Sequence, residues 1–154
     1  PKCLTQISAR DTILSRQLRL IVDAGLREVV MTTGRCHEEL KDYCAALSLP
    51  LDYTFVQNPV YSETNYIYSI DCAREVLDDD ILLMHGDLVF DILALERLLA
   101  QPDSGMAVST TLPLPEKDFK AVVGENRISA IGIETTSNDI PGNCFLKLVI
   151  TSVK

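Results

Sequence analysis

The chain has 154 residues, 47% hydrophobic and 23% charged, enough to bury roughly two-thirds of its unfolded surface around one core. No apolar run approaches the ~18 residues of a membrane-spanning helix, and no basic segment followed by an apolar stretch opens the sequence, so membrane insertion is not expected. A net charge of −8 argues against a nucleic-acid surface, because binding a phosphate backbone relies on clustered Lys and Arg.

From 12 to 24 the apolar residues Ile13, Leu14, Leu18, Ile21 and Val22 recur at helical spacing, with Asp11 or Thr12 placed to cap the start and Gly25 to end the helix. The β-branched run 29–32 leads into Thr33 and Gly34 and predicts a buried strand followed by a turn. Residues 37–47 return to a helical pattern, 52–56 form a second strand, and Asn58-Pro59 breaks the chain before a helix over 65–77. Three aspartates, Asp78 to Asp80, then precede the fully apolar run Ile81-Leu82-Leu83-Met84 and His85-Gly86-Asp87. An apolar run entered from a charged turn is the pattern of a central strand covered on both faces. A helix over 92–99, capped by Asp91, and a strand over 106–110 come next. The alternation predicts right-handed βαβ units on a largely parallel sheet. After Pro113, residues 119–123 and 127–133 flank Gly124-Glu125-Asn126 and predict a hairpin; 135–143 is polar and loop-like, and 145–153 is a short apolar segment of no clear type.

The five cysteines are scattered and never spaced as Cys-x-x-Cys, which predicts neither a disulfide framework nor a zinc site and fits a reducing cytoplasm. Cys36 and His37 are adjacent, but both belong to a helix start and no ordered third partner completes a thiol site.

In an open α/β sheet, ligands bind beyond the carboxyl ends of the strands, and Asp87 falls there, just past the strand 81–85. A carboxylate so placed can hold Mg²⁺, which commonly joins one or two carboxylates to substrate phosphates; the alternative is that Asp87 only caps the next turn. With an acidic chain, bound phosphates need local lysines, backbone N–H groups and a metal ion. Lys2 and Lys120 are the candidate lysines. His85 either reaches a substrate or is a satisfied interior histidine. The aspartates 78–80 read as solvated charge.

These residues, in order, resemble a known family. Pro1-Lys2-x-Leu4, the helix with Arg16-Gln17-Leu18, Ala24-Gly25-Leu26 and the strand into Thr33-Gly34 resemble the start of NTP-transferase domains just after their glycine-rich signature. Asn58-Pro59-x-Tyr61-x-x-Thr64-Asn65-x-x-x-Ser69 is similar to a segment of phosphocholine cytidylyltransferases and their phosphonate-using relatives. His85-Gly86-Asp87 resembles the family's metal-binding aspartate, and Asp118-Phe119-Lys120-Ala121 its later lysine-bearing strand. The set spans about residues 1 to 134.

The resemblance implies a Rossmann-like three-layer α/β/α sandwich with a mixed, mostly parallel sheet. It also implies an Mg²⁺-dependent cytidylyltransferase reaction, in which a substrate phosphate or phosphonate oxygen attacks the α-phosphorus of CTP, or another NTP, and releases pyrophosphate. Lys2 would contact phosphates, Asp87 would hold Mg²⁺ with His85 and Gly86 beside it, and Lys120 would face the substrate or α-phosphate. Thr64, Asn65 and Ser69 would read the nucleotide, while Tyr61 either shapes that pocket or packs in the core. A homodimer is compatible with this reading. The family's glycine-rich loop is expected upstream of Pro1, and its second metal carboxylate has no assigned place in 135–154. The chain therefore reads as one nucleotidyltransferase-like domain, 1–154, that is part of a longer protein on which turnover depends. The alternatives are a non-catalytic nucleotide-binding or regulatory module and a sugar-1-phosphate nucleotidyltransferase. A metal-dependent glycosyltransferase fits less well, because those enzymes place two carboxylates around one residue and Asp87-Leu88-Val89 does not.

Overall fold

The structure, a computed structural model, describes residues 1–108, 120–124 and 127–132. After a 3-10 turn at Lys2–Leu4 come α1 (Ile13–Asp23), β1 (Glu28–Thr33), α2 (His37–Leu47), β2 (Asp52–Gln57) and α3 (Tyr66–Cys72). A second 3-10 turn at Arg74–Val76 precedes α4 (Ile92–Leu99), β3 (Lys120–Gly124) and β4 (Arg127–Gly132). The fold is α/β.

Helix α1 is bounded by its own sequence. Thr12 Oγ1 accepts from the Ser15 N–H while Ser15 Oγ accepts from the Thr12 N–H, a reciprocal capping box. At the other end Gly25 adopts φ +84°, a left-handed conformation that only glycine takes without strain. It lets the Leu26 and Gly25 N–H groups bond the Ile21 and Val22 carbonyls, closing the helix.

β1 and β2 run parallel and in step, from Glu28 opposite Asp52 to Thr33 opposite Gln57. Parallel neighbours need a crossover, and α2 supplies it. Because side chains alternate along a strand, Val29 and Met31 share one face with Tyr53 and Phe55. These pack on a core built from Leu14, Leu18 and Ile21 of α1, Leu40 and Cys44 of α2, and Leu51. Both helices therefore cover the same face of the ladder. Leu18 is 1% exposed, and burying such a side chain stabilises by ~1.5–3 kcal/mol. The hairpin forms as expected, β3 antiparallel to β4, with a register shift between Val122 and Val123.

Four expectations are corrected. Residues 81–84 form no regular strand, only an isolated bridge at Leu82, and they are half-buried rather than covered on both faces. A strand exists through its ladder, and among the described residues β1 pairs with β2 and β3 with β4, leaving no strand alongside 81–84. For the same reason the expected buried strand β1 is half-buried at Val29, Val30 and Met31, exposed at Glu28 and Thr32, and buried only at Thr33. The expected strand 106–110 is not formed at 106–108; its last two residues lie outside the described region, as do 133–154 with the polar and apolar segments expected there. The helix expected over 65–77 divides at Ala73, whose N–H bonds the Ile70 carbonyl at 2.9 Å. That three-residue spacing starts the tighter 3-10 turn.

Candidate functional site

Asp87 lies in a turn after the extended segment 81–85, and α1 holds that turn from below. Gln17, 4% exposed, faces the core on the same stripe as Leu14, Leu18 and Ile21. Its Nε2 donates to the His85 carbonyl at 2.9 Å and to the Leu88 carbonyl at 2.8 Å. Its neighbour Arg16 donates from Nη2 to the Phe90 carbonyl at 3.1 Å. Two adjacent helix residues therefore fix three carbonyls of the segment that carries Asp87.

The 3-10 turn at the amino terminus brings Lys2 to the same place, with Nζ 3.9 Å from Asp87 Oδ2. Lys2 is 87% and Asp87 48% exposed, so the pair contributes little to stability and is accessible to a ligand. Cys3 adjoins Gly86: a Cβ added to that glycine would meet the Cys3 Cβ at 3.5 Å, an ordinary contact. Burial pushes the Cys3 thiol up, and pushes Cys44 up to about 11, with Cys3 a smaller cause; neither is poised as a thiolate nucleophile. Cys3, Cys36, Cys44 and Cys72 are all free.

His85 packs edge-on against Tyr66, ring centroids 5.1 Å apart, and Tyr66 opens α3. This contact joins the Asp87 turn to the second group of candidates. Asn65 caps α3, its Oδ1 accepting from the Ile67 and Tyr68 N–H groups at 3.0 and 3.3 Å. Thr64 Oγ1 donates to the Val60 carbonyl at 2.9 Å and accepts from Asn58 Nδ2 at 3.0 Å. Ser69 Oγ accepts from the same Nδ2 at 3.0 Å. Asn58 itself is 1% exposed; its Oδ1 accepts from the Val60 N–H, and its backbone N–H bonds the Thr33 carbonyl at the end of β1. Thr64, Asn65 and Ser69 thus use oxygen atoms to build the segment, while among the described residues the Ser69 hydroxyl proton and the Asn65 Nδ2 stay available. Tyr61 lies over the end of β1: a Cβ on Gly34 would come within 2.6 Å of its ring, so only glycine admits this packing. Tyr61 is still 45% exposed.

Lys2, Asp87, His85 and Gly86 are therefore assembled, with Tyr66 and Asn65 adjoining. Lys120 is the first residue of β3, opposite Gly132, and its side chain lies outside the described residues. An open cleft lined by Arg35, Cys36, His37, Glu38, Glu39 and Gln57 adjoins the carboxyl ends of β1 and β2 but excludes Asp87. Two carboxylates against one guanidinium make it unsuited to a triphosphate. Sequence reasoning placed Arg16, Gln17 and Asn58 in motifs but gave none of them, nor Tyr66, a role at the site. For Gln17 a signal existed: a polar residue inside an apolar helical stripe must find partners once buried.

Residues 1–118 match the MobA-like NTP transferase domain model. Over 114 residues the chain is 37% identical to the CMP-5'-(3-aminopropyl)phosphonate synthase of Streptomyces rubellomurinus (strain ATCC 31215), a match covering 74% of this chain and 18% of that protein. The chain thus spans less than a fifth of that relative. The structure of the inositol-1-phosphate CTP transferase from T. maritima matches with a TM-score of 0.75 at 21% identity, over 99% of this chain and 66% of that one. This last likeness establishes the fold. Among the described residues no helix is long and apolar enough to cross a membrane.

Proposed function

The chain belongs to the MobA-like NTP transferase family, and from that premise we propose that it transfers CMP from CTP to a small phosphonate- or phosphate-bearing substrate, releasing pyrophosphate. The observation that carries this reading is the 37% identity to a protein whose name describes a CMP-phosphonate synthase. The pairing of Lys2 with Asp87 supports it from the structure.

A single exposed carboxylate, Asp87, is compatible with Mg²⁺. No group of three or more metal-ligating side chains occurs among the described residues, and Mg²⁺ is commonly held by one or two carboxylates, waters and substrate phosphates rather than by a protein cage. Asp87 would hold it, and the bound ion would neutralise charge gathering on the phosphates. Lys2 is a second cation at the same place, a flexible donor to phosphate oxygens. A phosphonate or phosphate oxygen of the substrate attacks the α-phosphorus, the new P–O bond forms, and the bond to the β-phosphate oxygen breaks as pyrophosphate leaves. The side chains position the reactants and offset charge. Lys120 would be the further lysine that serves the α-phosphate or substrate. Asn65 and Ser69, with Thr64 and Tyr61 shaping the wall, face the nucleotide. In the whole protein these groups sit on a Rossmann-like three-layer sandwich with a mixed sheet.

The test is to incubate the whole protein with CTP, Mg²⁺ and, in turn, aminoalkylphosphonates, phosphocholine and sugar 1-phosphates while measuring pyrophosphate. Release with a phosphonate or phosphocholine is expected; no release with any pair of NTP and substrate would sink the proposal.

A further inference from the structure

The turn carrying Asp87 has an unusual support. Among the described residues no backbone-to-backbone hydrogen bond closes residues 85–88. Instead the carbonyls of His85 and Leu88, on either side of Gly86-Asp87, converge on one nitrogen, Gln17 Nε2. A primary amide has two N–H donors, and both are used across the turn. The nitrogen comes from the middle of α1, whose neighbouring Leu18 is locked in the core at 1% exposure. Gln17 itself is 4% exposed, so the side chain is packed in place against the helix it comes from. No other uncharged side chain of this length offers two such donors: methionine fills similar space without donors, and asparagine is one methylene short of bridging both carbonyls.

We propose that Gln17 is a positioning residue for the transfer reaction, setting where the Asp87 carboxylate stands so that it can take up the divalent cation with the nucleotide. The proposal rests on the reading of Asp87 as the metal-holding group. Gln17 touches neither phosphate nor metal; it acts through the turn. A second anchor, Arg16 on the Phe90 carbonyl, holds the far end of the segment and leaves the Asp87 turn itself to Gln17. Supporting hydrogen bonds of this kind typically govern metal affinity by 10–100-fold, and a displacement of about 1 Å can cost ~10²-fold in rate.

The experiment uses the whole protein and Mn²⁺ as the probe, its binding in the presence of CTP read by electron paramagnetic resonance, with thermal melting recorded for every variant. Gln17→Met is expected to weaken Mn²⁺ binding by about 10–100-fold and to raise the Mg²⁺ concentration needed for half-maximal turnover in parallel. Gln17→Asn, the milder change should the first variant not fold, is expected to move both in the same direction by a smaller factor. Leu18→Ala is the control for a purely structural role: it lowers the melting temperature and leaves Mn²⁺ affinity within about twofold. Native Mn²⁺ affinity in a folded Gln17 variant, or an equal loss in Leu18→Ala, would overturn the proposal while leaving the transferase reading standing. Absence of both Mn²⁺ binding and pyrophosphate release in the native protein would overturn the two together.

Discussion

The unit β1–α2–β2 and the segment 81–90 both carry apolar runs, yet they are held in different ways. In the first, a parallel ladder fixes the backbone, and α1 and α2 bury one face of it around Leu14, Leu18, Leu40 and Cys44. In the second no ladder forms among the described residues, and the carbonyls of His85, Leu88 and Phe90 are fixed by Gln17 and Arg16. The first is a matter of periodicity and burial. The second depends on a few side-chain donors aimed at particular atoms, and it carries the candidate chemistry. Stability and function should therefore respond to different substitutions, with α1 serving both regions.

The sharpest test of that separation is Asp87→Ala. Removing one group that offsets transition-state charge typically costs ~10²–10³ in kcat, whereas an exposed surface change moves stability by no more than about 0.5 kcal/mol. Pyrophosphate release should fall by that factor with an unchanged melting temperature. A large loss of stability would mean that the two regions are not separable. Leu18→Ala asks the converse question. It should cost ~2–5 kcal/mol in denaturant unfolding, and the Mg²⁺ requirement of the folded fraction should stay as it was.

Asn58→Ala falls between these. The side chain ties Thr64, Ser69 and the Val60 N–H together and is 1% exposed, so its loss leaves buried partners unmatched at a cost of ~1–3 kcal/mol. Because the same atoms place Asn65 and Ser69, KM for CTP should rise more than kcat falls. Unchanged KM would confine Asn58 to a structural role.

The same contrast explains how much was legible in the sequence. The bounds of α1, β1, α2 and β2 were readable because apolar spacing, Thr12 and Gly25 act locally. The hairpin was readable from two apolar runs around Gly124-Glu125-Asn126. The run 81–84 misled, since apolar composition alone does not create a ladder; a strand requires neighbours. Asp87 and Lys2 were legible as chemistry, but their approach to 3.9 Å depends on how the amino-terminal turn packs beside Gly86, which no local pattern encodes. Thr64 and Ser69 were read as nucleotide-side residues, and the sequence did not show that their Oγ atoms also converge on Asn58, a partner six and eleven residues away that looked like a chain break.

The smallest predicted effect probes the element shared by both regions. Thr12 caps α1 and its hydroxyl also meets Tyr43 Oη at 2.8 Å, linking α1 to α2. Thr12→Ala removes both, at about 1 kcal/mol for the cap, while Thr12→Ser keeps the oxygen and should recover most of it. Any fraying should stay within the first turn, residues 13–15, because the core residues Leu14, Leu18 and Ile21 hold the helix. Arg16 and Gln17 lie just beyond the frayed turn, so the carbonyls around Asp87 should stay anchored. Thr12→Ala is then expected to lower the melting temperature slightly and to leave the Mg²⁺ dependence of turnover unchanged. A shift in that dependence comparable to the one from Gln17→Met would show that the Asp87 turn feels the whole of α1, and that the two regions form one cooperative unit.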